Sequence, residues 1–206
     1  VLGNKTQHGD WKKEKHVPVI DCPDKVRADE LFEVKVSLGK EIAHPNTMER
    51  KEPLAVGSEA PDFALQAAGG KTIHLREYRG SKNVVLAFHP LAWTSGCAAE
   101  MQALDDAMPQ FGRLNTQVLG ISVDSVPSKK AWAESLGIES FRFVSDFWPH
   151  GEVAKRYGVL REEGFAERAI FVIDMQGVIR FAKVYPVKEV PPMEEVLEAA
   201  QALETR

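Results

Sequence analysis

Apolar residues recur along the chain in two rhythms. Residues 84–88, 118–123 and 169–173 are near-continuous apolar runs, the mark of strands covered on both faces. Between them, Met101, Leu104, Met108 and Phe111 recur at three- and four-residue steps, which predicts an amphipathic helix that Pro109 is expected to kink or shorten. Residues 128–136 and 151–157 read as further helices, and a last amphipathic helix is predicted over 193–203. Asp174-Met175-Gln176-Gly177 separates strand patterns at 169–173 and 178–184, so it reads as a hairpin turn. The predicted order β-α-β-α-β-β-α describes an α/β domain with a mixed central sheet on a thioredoxin-like plan. The hairpin disfavours a flavodoxin-like sheet.

Upstream the rhythm changes. Phe32, Val34, Val36 and Leu38 alternate with Glu33, Lys35 and Ser37, a period of two that predicts a half-buried strand, and residues 16–20 offer a shorter one. The charged run Glu49-Arg50-Lys51-Glu52 before Pro53 suits a linker, so the expected division is 1–52, a short β-rich extension, and 53–206, one compact domain. Fifty-two residues with two or three strands bury too little surface to stand alone, so the first piece is expected to pack on the rest or on another subunit.

Composition narrows the classes. With 44% hydrophobic and 27% charged residues the chain has material for a packed core, and no apolar run approaches the roughly 20 residues that a membrane-spanning helix needs. Twenty-six basic against 30 acidic side chains, without a basic cluster, argue against nucleic acid as a partner. Two cysteines, Cys22 and Cys97, are too few for a secreted disulfide scaffold, and residues 1–5 hold no apolar signal core, so a reducing cytoplasm is the expected compartment.

Candidate chemistry concentrates where the strand 84–88 ends, in His89-Pro90-Leu91-Ala92-Trp93-Thr94-Ser95-Gly96-Cys97. Cys97 falls at the start of a helix, where unpaired backbone N–H groups and the positive end of the helix dipole favour a thiolate. Pro90 can fix the incoming loop. Thr94 can place its hydroxyl beside the sulfur or cap the helix. From spacing alone, an inert buried cysteine is an equally good reading.

The string Pro90-x-x-x-Thr94-x-x-Cys97, with Glu100 following, resembles the peroxidatic signature of the peroxiredoxins, the AhpC/TSA-type thiol peroxidases. The resemblance extends from Val56-Gly57-Ser58-Glu59-Ala60-Pro61-Asp62-Phe63 through Glu167-Arg168-Ala169-Ile170-Phe171-Val172-Ile173-Asp174, similar to the strand carrying that family's active-site arginine. It implies that Cys97 is the nucleophile and that Pro90, Thr94 and Arg168 complete its pocket. It also implies that Thr94, Arg168 and the Gly96 and Cys97 amides grip the peroxide, while Glu100 orients Arg168. Phe88 and Trp93 wall the pocket in this reading or pack in the core. No cysteine follows Cys97, and position 102 is Gln102, so the chain resembles the one-cysteine branch. That branch implies an external thiol reductant, either a low-molecular-weight thiol or a thioredoxin- or glutaredoxin-like protein. Cys22 is the alternative resolving thiol, and a homodimer or higher homo-oligomer is the expected assembly.

The extension carries its own resemblance. Residues 9–20 and 39–47 are similar to the first part of the superoxide reductases, the neelaredoxin and desulfoferrodoxin domains, with His16 and His44 at two iron-ligand positions and Glu14 at a loop-carboxylate position. The next histidine ligand is replaced by Arg50, and the later Cys and His ligands are absent. Half a ligand set favours a retained scaffold, a docking or dimerisation arm with no metal or cofactor. His8, His74, His89 and His150 fit no metal spacing. The expected activity is therefore a thiol-dependent peroxidase acting on hydrogen peroxide or organic hydroperoxides through a sulfenic acid. The competing readings are a redox sensor switched by Cys97 and a bifunctional superoxide reductase–peroxidase with iron in the extension.

Overall fold

The structure is a computed structural model that describes residues 19–21, 35–37 and 52–204. Its chain divides into two compact units, Val1–Glu49 and Arg50–Arg206. In the first unit, β1 (Val19–Asp21) and β2 (Lys35–Ser37) pair antiparallel with Ile20 opposite Val36. His16, His44, Glu14 and Cys22 lie outside the described residues.

The second unit is built on a seven-stranded sheet. Its strands are β3 (Ala64–Ala67), β4 (Thr72–His74), β5 (Asn83–Phe88), β6 (Thr116–Ser122), β7 (Arg142–Ser145), β8 (Arg168–Ile173) and β9 (Ile179–Tyr185), in the order β4-β3-β7-β6-β5-β8-β9. β5, β6 and β7 run parallel, while β8, β9 and β3 lie antiparallel to their neighbours. Every residue of β5 and β8 is buried, which accounts for the continuous apolar runs at the centre of the sheet.

The helices are α1 (Ser95–Arg113), α2 (Val126–Leu136), α3 (Glu152–Arg156) and α4 (Met193–Gln201). On one face, Val85, Ala87, Val118, Ile170 and Val172 form a core with Met101, Leu104 and Phe111 of α1, Trp132 of α2, and Val196 and Ala200 of α4. Successive side chains of a strand point to opposite faces, so Phe88 turns away from that core. Its ring lies 5.4 Å from Tyr157 and 5.8 Å from Phe171.

Three findings depart from the sequence reading. β3, β4 and β7 add to the predicted elements; three- and four-residue strands carry too little periodicity to stand out, and pairing across the sheet creates them. α1 is not shortened at Pro109 but continues to Arg113. Proline removes one ladder donor, and the buried Met101, Leu104, Ala107 and Phe111 on either side outweigh that loss. Phe88 does not wall the cysteine pocket, because the strand alternation commits it to the opposite aromatic cluster. The predicted hairpin is present between β8 and β9. Asp174 Oδ1 accepts the amides of Gln176 (3.0 Å) and Val178 (2.9 Å), and Gly177 supplies the positive φ of 83° that closes the turn.

Candidate active site

The parallel strands β5, β6 and β7 all deliver their carboxyl ends to one edge of the sheet, and the loop from β5 into α1 runs along it. Thr94 is the N-cap by backbone geometry, and its carbonyl accepts the Ala98 amide at 2.9 Å. Its side chain makes no capping bond; Oγ1 instead donates back to the Leu91 carbonyl at 2.9 Å. The capping expectation is thus corrected: the hydroxyl tightens the loop. Ala92 donates its amide to Asp124 Oδ2 at 2.8 Å, and Trp93 Nε1 donates to Ser128 Oγ at 3.1 Å. These bonds hold Trp93 at a φ of 66°, a left-handed conformation that costs a bulky residue about 1–2 kcal/mol. Trp93 is 58% exposed, so it stands at the rim and outside the core.

Cys97 is the third residue of α1 and is 1% exposed. The amides of Ser95, Gly96 and Cys97 belong to the first turn, which has no preceding carbonyl inside the helix to take them. A guanidinium faces the sulfur: Arg168 Nη2 lies 3.5 Å from Cys97 Sγ. The register explains how residues 71 apart in sequence meet. β8 lies antiparallel to β5 with Ala169 opposite Phe88, so Arg168 emerges beside the last residue of β5.

Arg168 is held from two further sides. Its Nε and Nη2 donate to the Val187 carbonyl at 3.0 and 2.8 Å, and its Nη1 forms a buried ion pair with Glu100 Oε2, one turn along α1 from the cysteine. Burial pushes the Glu100 carboxyl up to about 7 against the pull of Arg168, and its Oε1 has no hydrogen-bond partner. Gly96 leaves the guanidinium room, because a Cβ at this position would stand 3.2 Å from Arg168 Nη2, closer than an ordinary contact. Pro90, buried, precedes the turn.

The structure thus brings Gly96, Cys97, Glu100 and Arg168 together, turns the Thr94 hydroxyl back to Leu91, and leaves Phe88 out. Sequence reasoning found no metal spacing for His89 and passed over Lys129, yet the two meet at the base of this loop with Lys129 Nζ 3.2 Å from His89 Nε2. A signal existed: Lys129 lies three residues before Trp132 on the apolar stripe of α2, an unusual place for a lysine. Among the described residues no group of three or more His, Cys, Asp and Glu side chains is placed to hold a metal ion.

A mixed sheet that sets a cysteine in the first turn of a helix, under an arginine from the neighbouring strand, defines a thiol-based redox enzyme on the thioredoxin-like plan. Residues 56–182 match the AhpC/TSA family, and the chain belongs to that family, the peroxiredoxins. Residues 8–51 match the desulfoferrodoxin family separately. Alkyl hydroperoxide reductase E of Mycobacterium tuberculosis is 44% identical over 151 residues, 73% of this chain and 98% of the relative. The chloroplastic 2-cysteine peroxiredoxin of Chattonella marina var. antiqua is 37% identical over 160 residues, 73% of this chain and 81% of its own. Among solved structures, the reduced Plasmodium vivax 2-Cys peroxiredoxin superposes with a TM-score of 0.68 at 31% identity, over 74% of this chain and 83% of that one. Mycobacterium tuberculosis AhpC gives 0.67 at 26%, over 75% and 95%.

Proposed function

We propose that this chain reduces hydrogen peroxide or organic hydroperoxides at Cys97 and is regenerated by an external thiol. The observation that carries the reading is the Arg168 guanidinium 3.5 Å from the Cys97 sulfur at the start of α1. Peroxide cleavage needs a thiolate and needs donors for the oxygen that leaves with negative charge. Arg168 serves both needs, and the Gly96 and Cys97 amides add donors on the same side. The thiolate attacks one peroxide oxygen, the O–O bond breaks, and the departing hydroxide or alkoxide takes a proton from solvent. Cys97 is left as a sulfenic acid. A reductant thiolate then attacks that sulfur, water leaves, and a second thiol releases Cys97 from the mixed disulfide.

Gln102 is exposed on α1, and no cysteine follows Cys97, which supports the one-cysteine route with a low-molecular-weight thiol or a thioredoxin- or glutaredoxin-like protein as reductant. A reducing cytoplasm supplies such thiols. Since Cys97 is 1% exposed, entry is coupled to movement of the loop 91–96, whose Leu91, Trp93, Thr94 and Ser95 face solvent. Leu91, Trp93, Phe147 and Trp148 are exposed apolar side chains after the carboxyl ends of β5 and β7, a surface suited to a second copy in a homodimer.

Stopped-flow oxidation of Cys97 by hydrogen peroxide, with dimedone trapping of the sulfenic acid, tests the reading. A rate far above that of a free thiol, lost in Cys97→Ser, is expected. A rate equal to that of a free thiol overturns it and leaves the sensor reading.

A further inference from the structure

Two hydrogen bonds tie the middle of the active-site loop to the stretch that leads from β6 into α2. β5 and β6 run parallel with Phe88 beside Ile121, so the residues that follow each strand emerge side by side. There the Ala92 amide donates to Asp124 Oδ2 at 2.8 Å, and the Trp93 indole Nε1 donates at 3.1 Å to Ser128 Oγ, in the first turn of α2. The tethers flank the strained residue of the loop. Trp93 has a φ of 66°, a left-handed conformation that a bulky side chain keeps only where its surroundings over-determine it. One tether is the amide just before it and the other is its own ring.

The anchor is itself fixed. Asp124 Oδ2 also accepts the Ser122 hydroxyl at 2.7 Å, and the Asp124 carbonyl accepts the Ser145 hydroxyl of β7 at 2.6 Å. Lys129 Nζ donates to Ser122 Oγ at 2.8 Å and to the Gly120 carbonyl at 3.2 Å, and it sits 3.2 Å from His89 Nε2. A hydroxyl has one hydrogen; with Lys129 donating to its oxygen, Ser122 directs that hydrogen to Asp124. Ser122 and Lys129 are both 1% exposed, so the carboxylate that holds the loop rests on a buried, hydrogen-bonded base.

The constraint reaches Cys97 through the backbone. Thr94 Oγ1 donates to the Leu91 carbonyl at 2.9 Å, closing a turn around Ala92 and Trp93, and the Thr94 carbonyl accepts the Ala98 amide at 2.9 Å, which starts α1. The residue that closes the turn is thus the N-cap of the helix whose first turn holds Gly96 and Cys97. Freeing Ala92 and Trp93 lets Trp93 leave the left-handed region and opens the turn. The first turn of α1 then shifts relative to Arg168, which stays on β8 with its bonds to Val187 and Glu100.

We propose that Asp124 and Ser128 are positioning residues for the reaction at Cys97: they clamp Ala92 and Trp93 so that the loop stays closed and the first turn of α1 stays set against Arg168. The proposal rests on Cys97 being the peroxide-reactive thiol and deepens that reading. The clamped loop favours reaction with a small peroxide. The released loop admits larger molecules to a sulfur that has lost its place beside the guanidinium.

The test uses the full chain carrying Cys22→Ser, in which Cys97 is the one thiol. Two rates are measured at one pH: oxidation of Cys97 by hydrogen peroxide, and its alkylation by N-ethylmaleimide, a larger reagent. Ser128→Ala, which loses a neutral hydrogen bond, is expected to raise the ratio of alkylation to oxidation about fivefold, and Asp124→Ala, which loses one to a carboxylate, about tenfold or more. Asp124→Asn keeps an acceptor oxygen and is expected to return the ratio most of the way to the wild-type value. Urea denaturation on the same preparations checks that each variant is folded. Alanine is the better helix former, so Ser128→Ala keeps the fold and decides the matter if Asp124→Ala does not fold. A folded Ser128→Ala chain with the wild-type ratio overturns the proposal. If the parent chain is oxidised no faster than a free thiol, the peroxidase reading fails and alkylation alone still reads the clamp: a faster rate in folded Ser128→Ala supports it, and an unchanged rate overturns it.

Discussion

Arg168 Nη2 is shared between Cys97 Sγ at 3.5 Å and the Val187 carbonyl at 2.8 Å, while Nη1 of the same guanidinium binds Glu100. One planar cation thereby fixes the cysteine's helix, the arginine's own strand and the segment after β9. The resulting preorganisation is what the proposed chemistry requires, since no group has to reorient as charge moves from sulfur to the departing oxygen.

Replacing Arg168 removes both the donor and the partner of a buried carboxylate. Arg168→Ala is expected to slow Cys97 oxidation by two orders of magnitude or more, on the order of the loss of an oxyanion donor, and to destabilise the fold by about 3–5 kcal/mol. Arg168→Lys keeps the charge without the planar fork and is expected to fall between the two. Stopped-flow oxidation and urea denaturation on the same preparations check both effects.

Gly96→Ala separates rate from stability. The added Cβ stands 3.2 Å from Arg168 Nη2, so the guanidinium must shift by a few tenths of an ångström from its place beside the sulfur. Stability is expected to change by no more than about 1 kcal/mol, since alanine is the better helix former. The oxidation rate should fall, and a Gly96→Ala chain as fast as wild type would show that the placement of Nη2 is not critical.

Two buried groups give the stability opposite slopes in pH. Glu100 is raised from 4.5 to about 7, so across that window the native state keeps a proton that the unfolded chain has released, and stability falls as pH rises. Asp146, raised by burial as well, acts in the same direction. Lys129 is lowered from 10.5 to about 7, so across that window the unfolded chain holds the extra proton, and stability rises with pH. His89, held well below 6.5 by burial, makes stability rise with pH on the acid side and offsets Glu100 there. Urea denaturation from about pH 5 to 10 is therefore expected to show its clearest slope as a rise above neutrality, which Lys129→Met should flatten, while Glu100→Gln should make the acid side rise more steeply with pH.

The exposed aromatic surface bears on assembly. Trp148 is 83% exposed and Phe147 54%, a large apolar area to leave in water. Trp148→Arg is expected to shift sedimentation toward the monomer with little effect on monomer folding. An unchanged sedimentation profile overturns the proposed role of this surface in self-association.

Cys22 offers a check on the reductant. Cys22→Ser is expected to leave turnover with added thiol largely intact. Loss of turnover, together with a Cys22–Cys97 disulfide in peptide mapping, would place the resolving thiol within the chain.

Much of the sheet was legible from pattern. β5, β6, β8, β9 and the helices α1, α2 and α4 carry enough apolar residues at fixed spacing to declare themselves, and Asp174 and Gly177 mark their hairpin by turn chemistry. β3, β4 and β7 did not, because three or four residues acquire strand identity only from the neighbour they bond to. In the active site, Pro90, Thr94 and Cys97 form a local string, readable because loop and helix start are encoded within eight residues.

What the amino-acid order determined by itself was the class of fold and a cysteine at the head of a helix, since both depend on contacts close along the chain. Tertiary structure decided what that cysteine faces. The β5–β8 register places Arg168 against the sulfur, strand alternation sends Phe88 to the far side, and the packing of α2 on the sheet lowers Lys129 onto His89. These are encounters between residues dozens of positions apart, and the electrostatic field at a buried atom is a sum over distances that only the folded chain defines.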